Sequence, residues 1–286
     1  MGTLAGLLSM VFWGNAIFLA AFASRKIGNT LTLFWMQFFG FIIALFYFLF
    51  SFNNHDLSIV SNHLMILFII ALLQVVAYLA FYKGLEKGDV SLVSPIGATW
   101  GLVVAILGVI FFREALSFVQ IVAIVFIVGG ILILSLNFAQ LRSKQKLSLG
   151  VGVKEGIVAM LGWGISLFLI AIPSGELGWF LPTLVFRFLI LVVLLVYILI
   201  SSSKFFVAGK EFPWKLLLAI GIFDVAGFFS FSLGLVLANA SIVAPIASAF
   251  ALVSVFLAFV FLKEKFNKQK ILGILFIVLG LVLISI

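Results

Sequence analysis

The stretch Gly84-Leu85-Glu86-Lys87-Gly88-Asp89-Val90-Ser91-Leu92-Val93-Ser94-Pro95-Ile96 returns 150 residues later as Gly234-Leu235-Val236-Leu237-Ala238-Asn239-Ala240-Ser241-Ile242-Val243-Ala244-Pro245-Ile246. The offset holds outward in both directions. Trp13-Gly14 falls on Trp163-Gly164, Glu114 on Glu264, and Phe126-Ile127-Val128 on Phe276-Ile277-Val278. Between 71–135 and 221–285 about 20 of 65 positions are identical without a gap. Shared apolar composition accounts for about a third of those pairs. The matched Trp-Gly, Gly-Leu, Pro and Glu positions need a different explanation, which is an internal duplication.

The duplicated unit is apolar throughout. Of 286 residues, 65% are hydrophobic and only 9% charged, with a mean hydropathy of +1.42. A soluble domain carries about 25% charged residues, so this chain could not cover a water-facing surface. A bilayer core needs about 20 mostly apolar residues per helix. Ten such runs are present, near 3–23, 30–51, 63–83, 90–111, 118–137, 152–171, 180–200, 214–234, 241–262 and 269–286. They are continuous and far longer than the alternating segments of a membrane barrel. The expected fold is an all-α integral membrane protein with ten transmembrane helices. It divides into a five-helix repeat over 1–137, a basic cytoplasmic linker over 138–151 and a second repeat over 152–286. Five is odd, so the second repeat enters the membrane inverted with respect to the first, an architecture typical of secondary transporters.

The formal net charge of +8 resembles that of a nucleic-acid binder until the cations are located. Fifteen of the 17 basic residues lie in the odd-numbered gaps between runs; Arg113 alone lies in an even gap, and Arg187 lies inside run seven. The excess of Lys and Arg in cytoplasmic loops then places the odd gaps inside a plasma membrane and both termini outside. No nucleic-acid partner is needed. The expected partners are a small-molecule substrate and the bilayer, with the protein a monomer or homodimer.

The two copies of Phe12-Trp13-Gly14 and Gly162-Trp163-Gly164, Ser91-Leu92-Val93-Ser94-Pro95 and Ser241-Ile242-Val243-Ala244-Pro245, and Phe112-Arg113-Glu114 and Leu262-Lys263-Glu264 occur in the same order in each half. In this the sequence resembles the drug/metabolite transporter superfamily, in particular its ten-helix members with two EamA domains. The resemblance spans essentially the whole chain. It implies a carrier for small metabolites, often an exporter of amino acids or related compounds, though sugar-uptake members exist. Two departures stand out. Gln37 occupies the place where the second half has Arg187, and many relatives are described with cytoplasmic termini.

Ionisable groups at bilayer depth are costly and mark functional sites by default. Arg187 lies about seven residues into its run and Asp224 about ten, from opposite faces, which puts both near mid-depth at 1.5 Å per residue. Either they form a structural pair, or Arg187 receives an anionic group of the substrate and Asp224 an ammonium, a hydroxyl or a proton. The first half answers with neutral Gln37 and Gln74. Gln74, Tyr78 and Tyr82 share one helix face, as do their mates Asp224, Phe228 and Ser232, and both stripes are expected to face a cavity. Trp13 and Trp163 are too deep for an interfacial belt and offer an aromatic wall, with Asn15 and Ser166 close by; Trp100 is similar. Pro95 and Pro245 are candidate hinges, Gly97 to Gly101 a close helix contact, and Glu114 and Glu264 members of local ion pairs.

Other chemistries lack their residues. There is no cysteine, the two histidines both fall in gap two, and no phosphate-binding glycine loop occurs. No metal site, cofactor or enzymatic activity is expected; coupling to protons through Asp224 is. The competing reading is a membrane scaffold or lipid-handling accessory protein without carrier activity. A roomy, wet cavity between the halves favours transport and a dry packed centre favours the scaffold.

Overall fold

A computed structural model describes residues 1–51, 57–87, 90–135, 152–200, 211–262 and 268–284. The expected linker at 138–151 lies outside them. The described residues form helices and no strand: α1 Gly2–Ile27, α2 Asn29–Ser51, α3 Val60–Lys87, α4 Val90–Ala98, α5 Trp100–Phe111, α6 Phe118–Ser135, α7 Val153–Leu169, α8 Ala171–Leu177, α9 Leu181–Ile200, α10 Trp214–Leu237, α11 Ala240–Ser248, α12 Phe250–Leu262 and α13 Lys268–Ile284. Seven of the resulting segments are long and apolar enough to cross a membrane, and Ile96–Phe111, Phe118–Ile133 and Ile271–Ile284 are shorter apolar helices. In lipid only intrahelical hydrogen bonding satisfies the backbone of such segments. The chain is an all-α, multi-pass membrane protein.

Turn chemistry repeats along with the helices. Gly28, after α1, has φ +83, and its mate Gly178, after α8, has φ +73. A Cβ would meet nothing within 4 Å at either place, so glycine is there for its backbone angle and not for space.

Three differences from the sequence reading appear. Runs four and nine are each interrupted, at Thr99 and Ala249. There the chain switches to i→i+3 bonds, from Thr99 N to Ile96 O and from Ala249 N to Ile246 O. The Thr99 and Ser248 hydroxyls bond back to Ile96 O and Pro245 O, which bends helices. The interruption therefore falls four residues beyond Pro95 and Pro245, not at them. Secondly, α8 is an extra short helix between runs six and seven. Thirdly, Glu114 does not form a local ion pair. Its two carboxylate oxygens accept the backbone N–H groups of Ala240 and Ser241 at 2.9 Å, capping α11 across the two halves, where free N–H groups and the helix dipole favour an anion.

The halves are inverted, and contacts between repeat mates show it. α2 meets its mate α9 through Gln37 with Arg187 and Tyr47 with Phe180, so the two run antiparallel. α6 meets its mate α13 the same way. Phe126 stacks on its own mate Phe276 at 5.1 Å, and Gly130 and Gly280 each admit the other helix's backbone. A residue can touch its own mate only near the axis relating the repeats, so a pseudo-two-fold axis passes by Gln37/Arg187 and Phe126/Phe276. Around it α1 packs on α10 as α7 packs on α3, and α10 on α2 as α3 on α9. The expected small-residue contact is present: a Cβ on Gly101 would collide with Ser248 and with Ala244 O.

Candidate functional site

The polar centre is built from four helices at the axis. Arg187 on α9 is fully buried and Asp224 on α10 is 2% exposed. Arg187 Nη2 donates to Asp224 Oδ2 at 2.6 Å and Nη1 to Gln37 Oε1 on α2 at 2.8 Å. Tyr78 on α3 donates its hydroxyl to Asp224 Oδ1 at 2.7 Å. The guanidinium also lies 4.9 Å from the centroid of the Phe228 ring, within cation–π range. A buried charge requires this much compensation. Gly40, one turn from Gln37, provides the room: a Cβ there would sit 2.7 Å from Arg187 Nη1. The sequence reading missed Gly40. Its signal was a residue without a side chain, at i+3 from the polar Gln37 on the same face.

The aromatic wall follows the repeat. Trp163 packs on Tyr78 and Phe81 with ring centroids 5.2 and 4.7 Å apart. Its mate Trp13 packs on Phe228 and Phe231, the mates of those rings, at 5.0 and 5.5 Å. Trp100 closes the group edge-on to Trp13 at 5.8 Å. Between them lies a narrow cavity with about 20 Å³ open to the centres of water molecules, bounded by these three tryptophans, Tyr78, Tyr82 and Asp224, together with Phe228 and Phe250. One water needs about 10–15 Å³ by that measure, so the cavity has room for one or two.

Of the residues singled out by sequence, Trp13, Trp100, Trp163, Tyr78, Tyr82 and Asp224 border this cavity. Arg187 stands behind Asp224 and holds it, and Gln37 in turn accepts from Arg187. Gln74 donates to Ser166 Oγ at 3.0 Å, a link between α3 and α7 that does not border the cavity. Asn15 is not brought in; its amide bonds Val11 O on its own helix. Tyr82 donates to Met36 Sδ. Pro245 lies inside α11, and Pro95 falls within the span of α4. Four buried polar atoms of this region, Trp13 Nε1, Gln37 Nε2, Gln74 Oε1 and Arg187 Nε, have no hydrogen-bond partner in the protein. Among the described residues no cluster of His, Asp and Glu could hold a metal ion.

A larger hollow lies elsewhere. It measures about 660 Å³ and opens between the start of α2, the end of α3, the start of α7 and the end of α9.

Comparison with known proteins gives three findings. The model of the EamA-like transporter family matches residues 1–136 and again 151–286. No curated protein sequence matches the chain. A solved chain described only as a crystal structure of a protein shares the fold, with a TM-score of 0.73 at 13% identity, covering 99% of this chain and 95% of its own.

Proposed function

This chain belongs to the EamA-like transporter family, whose members are transporters and not enzymes, and from that premise we propose that it is a secondary carrier of small polar metabolites. Amino acids or related compounds, moved outward across the cell membrane, fit the reading best. The two inverted repeats would alternate in opening the centre to either face, with both termini outside. Trp13, Trp100, Trp163, Tyr78 and Tyr82 would surround the substrate. Asp224 would take its cationic or hydroxylic end, or a coupling proton. Arg187, with Gln37 behind it, would hold Asp224 and meet an anionic group once the cavity widens; Gln74 and Ser166 would brace the opposite wall.

The single observation that supports this reading most is the buried Arg187–Asp224 pair, in which the axial Arg187 faces a neutral Gln37 in the mirrored place. The repeated scaffold itself requires no charge there, since the first half carries the neutral Gln37 and Gln74 at the equivalent positions. The second reading, a scaffold or lipid-handling accessory without carrier activity, is favoured by the narrowness of the central cavity. Purified protein in vesicles, offered a panel of metabolites with and without a pH gradient, separates the two. Carrier activity predicts substrate-dependent flux that Asp224→Asn uncouples from the pH gradient. The same variant keeps an oxygen acceptor for Arg187 and should fold. Arg187→Gln should weaken transport of anionic substrates more than of neutral ones. Absence of flux across the panel in folded parent protein would favour the scaffold.

A further inference from the structure

The 660 Å³ hollow lies on the face that carries the basic loops, and it has a built-in control, the equivalent position on the opposite face generated by the internal symmetry. Among the described residues, five charged ones border the hollow: Lys83, Glu86 and Lys87 at the end of α3, and Lys154 and Glu155 at the start of α7. Their mates at an offset of 150 are Leu233, Val236, Leu237, Leu4 and Ala5. The uncharged lining differs too. Asn29, Thr30, Leu79 and Tyr197 correspond to Trp179, Phe180, Phe229 and Tyr47. Those four mates pack together and fill their corner: Tyr47 on Phe180 at 4.7 Å, and Trp179 and Phe180 on Phe229 at 5.4 Å each. The helix framework is thus satisfied by an apolar, self-filled corner on one face. On the other face it keeps a hollow within the size range of ligand sites, about 300–1,000 Å³, and surrounds it with charge.

We propose that this hollow binds the head group of a phospholipid from the surrounding bilayer, and specifically a phosphoethanolamine head group. Position and charge both point there. The hollow sits at helix ends on the basic face, where basic pockets between membrane helices take lipid head groups. Its wall includes Val158 and Tyr197, which are 42% and 47% exposed, so acyl chains can lie against these side chains while the head group meets the charges. Three ammonium groups match a phosphate. The two carboxylates of Glu86 and Glu155 oppose a purely anionic ligand but match the –NH₃⁺ that phosphoethanolamine carries a few bonds from its phosphate. A trimethylated choline has no N–H to donate to them, and a phosphatidylglycerol head group has no cation.

The test uses the purified, delipidated full chain. Native mass spectrometry counts retained lipid after incubation with phosphatidylethanolamine, phosphatidylcholine or phosphatidylglycerol, and soluble glycerophosphoethanolamine serves as competitor. Preferential retention of phosphatidylethanolamine is expected. Lys83→Gln with Lys154→Gln should lower it at least tenfold. Glu86→Gln with Glu155→Gln should erase the preference over phosphatidylglycerol. Asn29→Trp with Thr30→Phe, which copies the filled corner, should abolish retention. Should that variant fail to fold, the charge-neutralising pairs still decide. Equal retention of all three lipids, retention unchanged in the charge variants, or preference for phosphatidylglycerol by the parent would each overturn the proposal. Displacement by glycerophosphoethanolamine at concentrations equal to the lipid would overturn it in favour of a soluble phosphoamine. None of these readouts depends on transport.

Discussion

Removing Asp224 should damage the protein more than removing both members of its ion pair. In Asp224→Ala the Arg187 guanidinium stays fully buried and retains only Gln37 Oε1 at 2.8 Å and the face of Phe228. Breaking a buried pair on one side costs about 3–5 kcal/mol, because an uncompensated charge remains. At roughly 2–4 °C per kcal/mol for a large domain, the midpoint of thermal unfolding should fall by on the order of 10 °C. Arg187→Met with Asp224→Leu removes both charges and restores comparable volume, and such replacements are often neutral or stabilising. The double variant should therefore unfold well above the single one. The assay is thermal unfolding of detergent-purified protein, with Tyr78→Phe as a control that removes only the 2.7 Å bond to Asp224 and should cost about 1 kcal/mol. A double variant less stable than Asp224→Ala, or Asp224→Ala indistinguishable from the parent, would refute the view that Asp224 compensates Arg187.

Three further outcomes follow from the geometry. Gly40→Ala places a Cβ 2.7 Å from Arg187 Nη1 and should cost about 1–3 kcal/mol by overpacking; the same unfolding measurement detects it, and no loss would mean that Arg187 has a second resting place. Glu114→Ala removes the acceptor of the Ala240 and Ser241 N–H groups and should cost about 0.5–2 kcal/mol, with faster amide hydrogen exchange confined to the start of α11; unchanged exchange there would show the cap to be dispensable. Because the chain has no cysteine, single cysteines report orientation without background. Lys154→Cys should be shielded from an impermeant thiol reagent in intact cells and Ser58→Cys labelled, and the reverse pattern would place the termini inside.

What the sequence disclosed was set by period and by charge. The duplication was legible because Trp-Gly, Gly-Leu, Pro and Glu recur at one offset, and an odd helix count per repeat implies inversion. The depth of Arg187 and Asp224 followed from counting residues along a straight helix, and the two do meet. Contacts that depend on how helices rotate against one another were not legible. Asn15 turns back onto Val11 because an intermediate-depth amide finds its own helix's carbonyl first. Glu114 stands beside Arg113 in sequence, which suggests a local ion pair. Arg113 has φ +53, and Glu114, next to it, reaches the start of α11, which no local spacing specifies. Thr99 and Ala249 interrupt their helices through hydroxyl and i→i+3 bonds, whereas proline draws attention four residues earlier. Gly40 carries no chemistry of its own and matters only because of what occupies the space beside it.

The contact between Gln37 and Arg187 has a property that its neighbours lack. Rotation about the pseudo-two-fold exchanges the two positions, so the contact maps onto itself. The Tyr78–Asp224 bond instead maps onto Phe228 and Gln74, which cannot reproduce it. If the halves trade shapes during a transport cycle, the axial contact persists through both states and its energy cancels from the balance between them, while the off-axis bond weights one state over the other. Arg187 then acts as a pivot and Asp224 with Tyr78 as the weight on one arm. An axial site also faces its own copy, so an arginine in both repeats would set two guanidinium groups against each other, costing about 4 kcal/mol at 4 Å and an effective dielectric of about 20. A charge on this axis can be carried by one half only. Charging the centre thus required the two halves to become unlike, a step open to a fused chain whose halves vary independently and closed to a dimer of identical ones.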